Sequence, residues 1–259
     1  MPAPEATRVP RYVGRETPAL GPLRDVAAAL GPLTERVVFI GGAVAPLLQT
    51  EPTLPTVRPT KDVDGVAVSS SYPDYGRLQD ALRARGFVEA GMIGSGPRGK
   101  HAHRWRTPTG GDFDLVPAGD HLGGTGSPWD AYALESAVAL DLRRTDAEPA
   151  LVARHVSAVA FLALKWAAYD DRGRQDKYLS HDLEDILALV ASRPALPAEC
   201  AAAPADVRAF IVDHTREFLD DPDADELIDA QLGVHGSGAV PIRRTVRARL
   251  AEIAAVGVA

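Results

Sequence analysis

The chain has 259 residues, 46% of them hydrophobic and 24% charged, which is the composition of an ordinary globular protein long enough to bury a real core. A formal net charge of -7 argues against a protein that coats nucleic acid electrostatically, and the single cysteine, Cys200, excludes an internal disulfide or a cysteine-rich zinc site. No apolar run reaches the roughly eighteen residues a membrane span needs. The start, Met1-Pro2-Ala3-Pro4-Glu5, lacks the basic and apolar segments of a signal peptide, so the expected setting is a reducing cytoplasm without a membrane partner.

In chain order, residues 1–22 are rich in Pro and Gly and read as a loose arm. Leu23–Leu30 reads as a short amphipathic helix, and the apolar run Val37–Ile40 as a buried strand. Gly41-Gly42 then turns the chain into a helix over Ala43–Gln49, and Pro52, Pro55 and Pro59 make the segment from Thr50 to Pro59 a loop. Asp62–Val68 is expected as a strand and Asp74–Arg85 as a helix stopped at Gly86. Three more strands follow at Phe87–Ile93, His101–Arg106 and Asp112–Val116, then a Gly-rich loop from Asp120 to Pro128. Trp129–Leu140 reads as a helix with a strand at Leu142-Arg143 after it, and helices are expected at 157–171, 181–192, 205–220, 224–232 and 241–255. Strands mixed with helices and then helices alone predict an α/β or α+β core followed by a helical domain, with the division near residue 150.

The densest chemistry lies in Thr60-Lys61-Asp62-Val63-Asp64, about twenty residues after the Gly-Gly turn. Asp62 and Asp64 alternate on a strand and so share a face. The turn before them offers bare backbone N–H groups, and the helix after it a positive end, to an anionic ligand. A second acidic strand, Asp112-Phe113-Asp114, supplies a third carboxylate, Asp114, with Asp112 as its alternative. Three carboxylates within about 5 Å of one another repel by roughly 3 kcal/mol per pair at an effective dielectric of about 20. A divalent cation between them and a phosphate would relieve that repulsion, which is the logic of metal-assisted phosphoryl or nucleotidyl transfer. On its own, a D-x-D pair is more often a solvated acidic face.

Further motifs carry competing readings. Gly94–His101 nearly matches a P-loop, but His101 replaces the metal-binding hydroxyl and a strand follows where a helix should open, so a hairpin loop is expected. Arg98, Lys100, Arg104 and Arg106, with His101, His103 and Trp105 between them, read as a solvated hairpin or as a contact surface for phosphate. Lys165 lies in the apolar run Val159–Tyr169 and must either snorkel or meet an anion: phosphate, or a carboxylate such as Asp182 or Asp185. Ser180 with Asp182 and Glu184 is a helix start, richer in acid than capping requires. His155 with His181-Asp182 also admits an HD-type metallophosphohydrolase, although His155 falls in an extended segment and that reading leaves Asp62 and Asp64 without a role. Arg243, Arg244, Arg247 and Arg249 form the basic face of a docked amphipathic helix.

Gly41-Gly42, the R-x-T-x-D-x-D run from Arg58 to Asp64, the acidic strand around Asp114, Lys165-Trp166 and the D-x-x-D of Asp182 to Asp185 together resemble the polymerase-β-like nucleotidyltransferase superfamily. More narrowly they look like its AbiEii/AbiGii-type group, known as toxins of type IV toxin–antitoxin systems. The resemblance spans about residues 35–190; it departs at Gly65, where an apolar residue is usual, and in a long gap from Gly42 to Asp62. It implies a nucleotidyltransferase core at 23–150, a mixed β-sheet flanked by helices, and a helical C-terminal domain at 151–259. It also implies transfer of an NMP from an NTP to a hydroxyl of an RNA or tRNA end, a protein or a small molecule. Asp62, Asp64 and Asp114 would hold Mg²⁺ or Mn²⁺, while Gly41, Gly42, Thr60, Lys61 and Lys165 would bind the nucleotide. Asp182 would orient substrate or Lys165, and a cognate antitoxin is the implied partner. The alternative within the same fold is a non-catalytic nucleotide- or RNA-binding member.

Overall fold

The computed structural model describes residues 9–14, 16–51, 60, 62–69, 71–93, 102–117 and 127–257, leaving aside the side chains of residues 92, 93, 102 and 103. The chain is a mixed α/β protein whose described residues divide into two compact units. A sheet unit takes Met1–Val44, Thr60–Thr125 and Ala137–Val156; a helical unit takes Ala45–Pro59, Gly126–Ser136 and Ser157–Ala259.

The sheet unit holds seven strands among the described residues: β1 (Val37–Ile40), β2 (Asp62–Ala67), β3 (Val88–Ile93), β4 (Ala102–Arg106), β5 (Asp112–Pro117), β6 (Val138–Asp141) and β7 (Val152–His155). Their order across the sheet is β3-β4-β5-β2-β1-β7-β6. β2 runs parallel to β5 and antiparallel to β1, and β1 runs parallel to β7. Alternation sorts the side chains. Val37, Phe39, Val63, Phe113, Leu115 and Trp105 are fully buried on one face, and Asp62, Asp64, Asp112 and Asp114 occupy the other. Helix α1 (Leu20–Leu30) precedes β1. The next helix in the sheet unit is Tyr72–Ala84, with the Ser71 hydroxyl capping its start and Pro73 in the first turn, two residues ahead of the expected Asp74. It is tied to the apolar face, where Arg83 lies over Trp105 at 5.4 Å and the Tyr75 hydroxyl donates to the Leu115 carbonyl.

Three local expectations are corrected by long-range backbone pairing. The helix expected over Trp129–Leu140 ends at Glu135, and the strand expected at Leu142-Arg143 lies instead at Val138–Asp141, where it pairs antiparallel with β7. Pro10 and Tyr12, read as part of a loose arm, exchange backbone hydrogen bonds with Asp141 along the outer side of β6. The helix expected over Ala43–Gln49 is a 3₁₀ turn at Gly42–Val44 followed by a single α-turn at Ala45–Leu48. It ends there because the Ser192 carbonyl accepts the N–H groups of both Thr50 and Glu51.

Counting Ala45–Leu48 as α2, the Tyr72–Ala84 helix of the sheet unit as α3 and Asp130–Glu135 as α4, the main elements of the helical unit are α5 (Ala158–Ala168), α6 (His181–Ser192), α7 (Leu196–Ala201), α8 (Ala205–Asp220), α9 (Ala224–Gln231) and α10 (Ala239–Ala255). Among them α7 is additional to the expected set, and α5 passes into a π-turn at Tyr169–Gly173. Cys200 is buried in α7, and burial pushes its thiol up to about 12, so it is an inert core residue. Three of the arginines of α10 are engaged within the unit: Arg243 by Asp225 and Asp229 of α9, Arg247 by Asp225, and Arg249 by the carbonyls of Val190 and Ala191 and by Glu51. No described helix is long and apolar enough to cross a membrane.

Gly65, the departure noted within the acidic strand, has a packing reason. A Cβ added there would lie 2.8 Å from Val37 Cγ1 and 2.9 Å from Phe113 Cε2. Gly65→Ala is therefore expected to overpack the apolar face and destabilise the chain by about 1–3 kcal/mol, read as a lower urea midpoint. An unchanged midpoint would contradict the packing.

Candidate functional site

The register between β2 and β5 builds the site. Asp62 pairs with Asp112 and Asp64 with Asp114, so four carboxylates stand on one face of two neighbouring strands. β4 runs on the far side of β5 with Arg104 opposite Asp114 and Arg106 opposite Asp112. Arg104 grips Asp114 in a bidentate pair, Nε to Oδ1 at 2.8 Å and Nη2 to Oδ2 at 2.7 Å. The same Nη2 lies 3.5 Å from Asp62 Oδ2. Asp114 is largely enclosed at 13% exposure, whereas the Asp62 side chain is 49% exposed. The hydrogen bonds it donates to Asp114 raise Arg104 above its ordinary pKa, outweighing a smaller lowering by burial, with the charges of Asp114, Asp62 and Asp112 adding to the rise.

Asp64 sits at the glycine corner. Gly41 has φ +69, a left-handed conformation that side chains resist, and a Cβ placed on it would fall 2.2 Å from Asp64 Oδ2. The corner therefore requires glycine twice over, for the backbone turn and for the carboxylate against it. With only one α-turn after it, the corner lacks the expected positive helix end, and its contribution to anion binding would come from backbone N–H groups alone. Thr60 donates its hydroxyl to the Asp62 carbonyl at 3.1 Å. Lys61, Arg58, the near-P-loop sequence Gly94–His101 and residues 118–126 lie outside the described residues. β3 and β4 on either side of 94–101 pair antiparallel, as the hairpin reading expects and a P-loop does not.

The close convergence expected of three carboxylates takes a different form. Among the described residues no three Asp, Glu, His or Cys side chains gather closely enough to hold a metal ion. Repulsion between Asp62 and Asp114 is instead relieved by the Arg104 guanidinium. Trp105, expected among the basic residues of a contact surface, points away into the core, because alternation sends it to the apolar face.

Lys165 and Asp182 belong to the helical unit. Lys165 does not snorkel: on α5 it is buried, with Nζ 3.0 Å from Asp182 Oδ1 and 2.6 Å from Asp185 Oδ2, both carboxylates lying one turn apart on α6. Arg172, on the π-turn, adds a bidentate pair to Asp182 at 2.7 and 3.0 Å. Burial alone would push Lys165 down, but Asp185 and Asp182 outweigh it and hold the ammonium above its ordinary value. Burial would likewise push Asp182 up, and Arg172 and then Lys165 reverse this and hold it below the usual carboxylate range. His155 lies in strand β7 with Nδ1 against the Val156 carbonyl, whereas His181 opens α6, exposed beside Glu184, so only one of the two histidines stands on a helix, where an HD site takes its ligands from successive helices.

Comparison with protein-family models and with curated proteins gave no match.

Two outcomes follow from these geometries. Gly41→Ala is expected to destabilise the chain by about 1–2 kcal/mol for the left-handed backbone, plus a clash with Asp64 that Asp64→Ala removes; a double-mutant cycle on urea midpoints separates the two. Lys165→Met is expected to destabilise by about 3–5 kcal/mol near neutral pH, since it strands buried carboxylates. The raised Lys165 contributes fully below the ordinary lysine value of 10.5 and loses its contribution as pH climbs through its folded value. The depressed Asp182 contributes fully above the ordinary value of 3.8 and loses its contribution as pH falls through its folded value. The deficit of Lys165→Met should therefore be widest between those limits and narrow on acidification, as its stranded carboxylates take up protons.

Proposed function

We propose that this chain is a metal-dependent nucleotidyltransferase, moving a nucleoside monophosphate from an NTP to a hydroxyl acceptor. One observation carries the reading: Asp62, Asp64 and Asp114 share a face of two adjacent parallel strands, with Asp64 seated against a left-handed glycine that admits no side chain. The donor type suits Mg²⁺ or Mn²⁺, and the three side chains would have to close on the ion from their present spacing. Carboxylate oxygens are hard ligands, and the half-exposed Asp62 can meet a hydrated ion.

In this reading Asp62 and Asp64 hold the ion and Asp114 is the third carboxylate. When bound, the ion supplies charge neutralisation and Lewis-acid polarisation at the phosphoryl group. The acceptor oxygen attacks the α-phosphorus while its proton passes to Asp114. The bond from that phosphorus to the bridging oxygen breaks, and pyrophosphate leaves with the electron pair. Backbone N–H groups at Gly41-Gly42 are the candidates for contact with the triphosphate. Lys165, engaged by Asp182 and Asp185, is assigned to holding α5 against α6, and Asp182 to orienting Lys165. A toxin role, a cognate antitoxin and the choice among RNA, protein and small-molecule acceptors are carried by the motif resemblance alone.

Incubation with each α-labelled NTP, Mg²⁺ and a cell lysate shows which fraction takes the label. Asp62→Asn and Asp64→Asn are each expected to abolish Mg²⁺-dependent NTP binding in calorimetry, and transfer with it, at unchanged circular dichroism. Undiminished transfer by the double variant would end the proposal. Binding without pyrophosphate release would make the chain a nucleotide-binding member of the same fold.

A further inference from the structure

An arginine opposite a carboxylate on the neighbouring strand is ordinary cross-strand pairing, and Arg106 with Asp112 is such a pair. Arg104 does more. From β4 it holds Asp114 on the adjacent β5 and reaches past it toward Asp62 on β2, two strand spacings away. Its Nη2 thus stands between carboxylates of two different strands, 2.7 Å from one and 3.5 Å from the other. That is the position a bridging cation would take. The Arg104 side chain is 36% exposed, so it reaches this position from the surface of the sheet and is not locked into the core.

We infer that Arg104 is an exchangeable internal counter-cation: it holds Asp114 and Asp62 in the nucleotide-free chain, yields them to a divalent ion, and then receives the phosphate that ion brings. The inference rests on the nucleotidyltransferase reading and adds to it a residue and an order of events. Two cations cannot share the same carboxylate oxygens at contact distance without repelling each other, so the ion and the guanidinium compete for Asp114 and Asp62. A displaced guanidinium beside a phosphate has a planar fork that matches it in two hydrogen bonds, as it matched the carboxylate. Arg104 therefore opposes binding of the metal alone and favours binding of the metal–nucleotide pair.

Opposite effects on the two ligands test this. Mn²⁺ alone is titrated by electron paramagnetic resonance and calorimetry into the wild-type chain, Arg104→Gln, Arg104→Lys and Asp62→Asn, with thermal melts as folding controls. Removing the competitor should let Arg104→Gln bind Mn²⁺ about tenfold more tightly, the scale of a charge-assisted hydrogen bond lost. At saturating Mn²⁺ a non-hydrolysable NTP should bind the same variant about tenfold more weakly, and Arg104→Lys should fall between on both counts. If Arg104→Gln binds Mn²⁺ no more tightly, or binds nucleotide no more weakly, while Asp62→Asn still removes Mn²⁺ binding, the exchange is overturned and the nucleotidyltransferase reading stands. Mn²⁺ binding absent from both the wild-type chain and Arg104→Gln overturns both.

Discussion

Parallel pairing of β2 with β5 brings like charges into register, with Asp62 beside Asp112 and Asp64 beside Asp114. Directly opposed like charges on neighbouring strands are destabilising, so this register persists only because other features compensate. On the opposite face Val63, Phe113, Leu115 and Trp105 are fully buried, and a slip of one residue would exchange them with the acids. On the acidic face, two guanidiniums from β4 meet Asp112 and Asp114. The hydrophobic face thus dictates the alignment, and arginine makes its electrostatic consequence tolerable.

Glycine serves this arrangement at two points for different reasons. Gly41 turns in the left-handed region and leaves space for the Asp64 carboxylate. Gly65, on the same strand as the acids but facing the other way, leaves space for Val37 and Phe113. Gly65 therefore serves the apolar face and leaves the acids of the same strand where alternation puts them. Parallel neighbours with acids on one face and aromatic packing on the other hold the carboxylates on strands whose alignment the core fixes.

The helical unit solves a separate charge problem. Lys165 lies in one of the most apolar stretches of the chain, and two carboxylates one turn apart on α6 meet its ammonium, with Arg172 balancing the second of the two negative charges. Lys165, Asp182 and Asp185 would each be costly to bury alone, and with the exposed Arg172 the four are neutral. A lysine with this much internal compensation is a structural anchor between two helices. The D-x-x-D spacing of Asp182 and Asp185 places both carboxylates on the side of α6 that meets Lys165.

Local pattern was legible where it had a period. Alternation in Asp62–Ala67 and Asp112–Pro117 disclosed two strands and which side of each carried the acids, and apolar spacing disclosed α6, α8 and α10 almost to the residue. The glycine corner and the acid pair were likewise visible, as was a choice of carboxylate partners for Lys165. What escaped depended on segments distant in the chain. β6 looked helical until β7 paired with it, the turn after Gly42 was cut short by the Ser192 carbonyl, and Arg104 read as a solvent-facing or phosphate-facing cation until β4 set it opposite Asp114. Residue order establishes which side of a strand a group occupies, because side chains alternate along the backbone. Which group faces it across the sheet depends on strand order and register, and these follow from burying all the apolar faces at once.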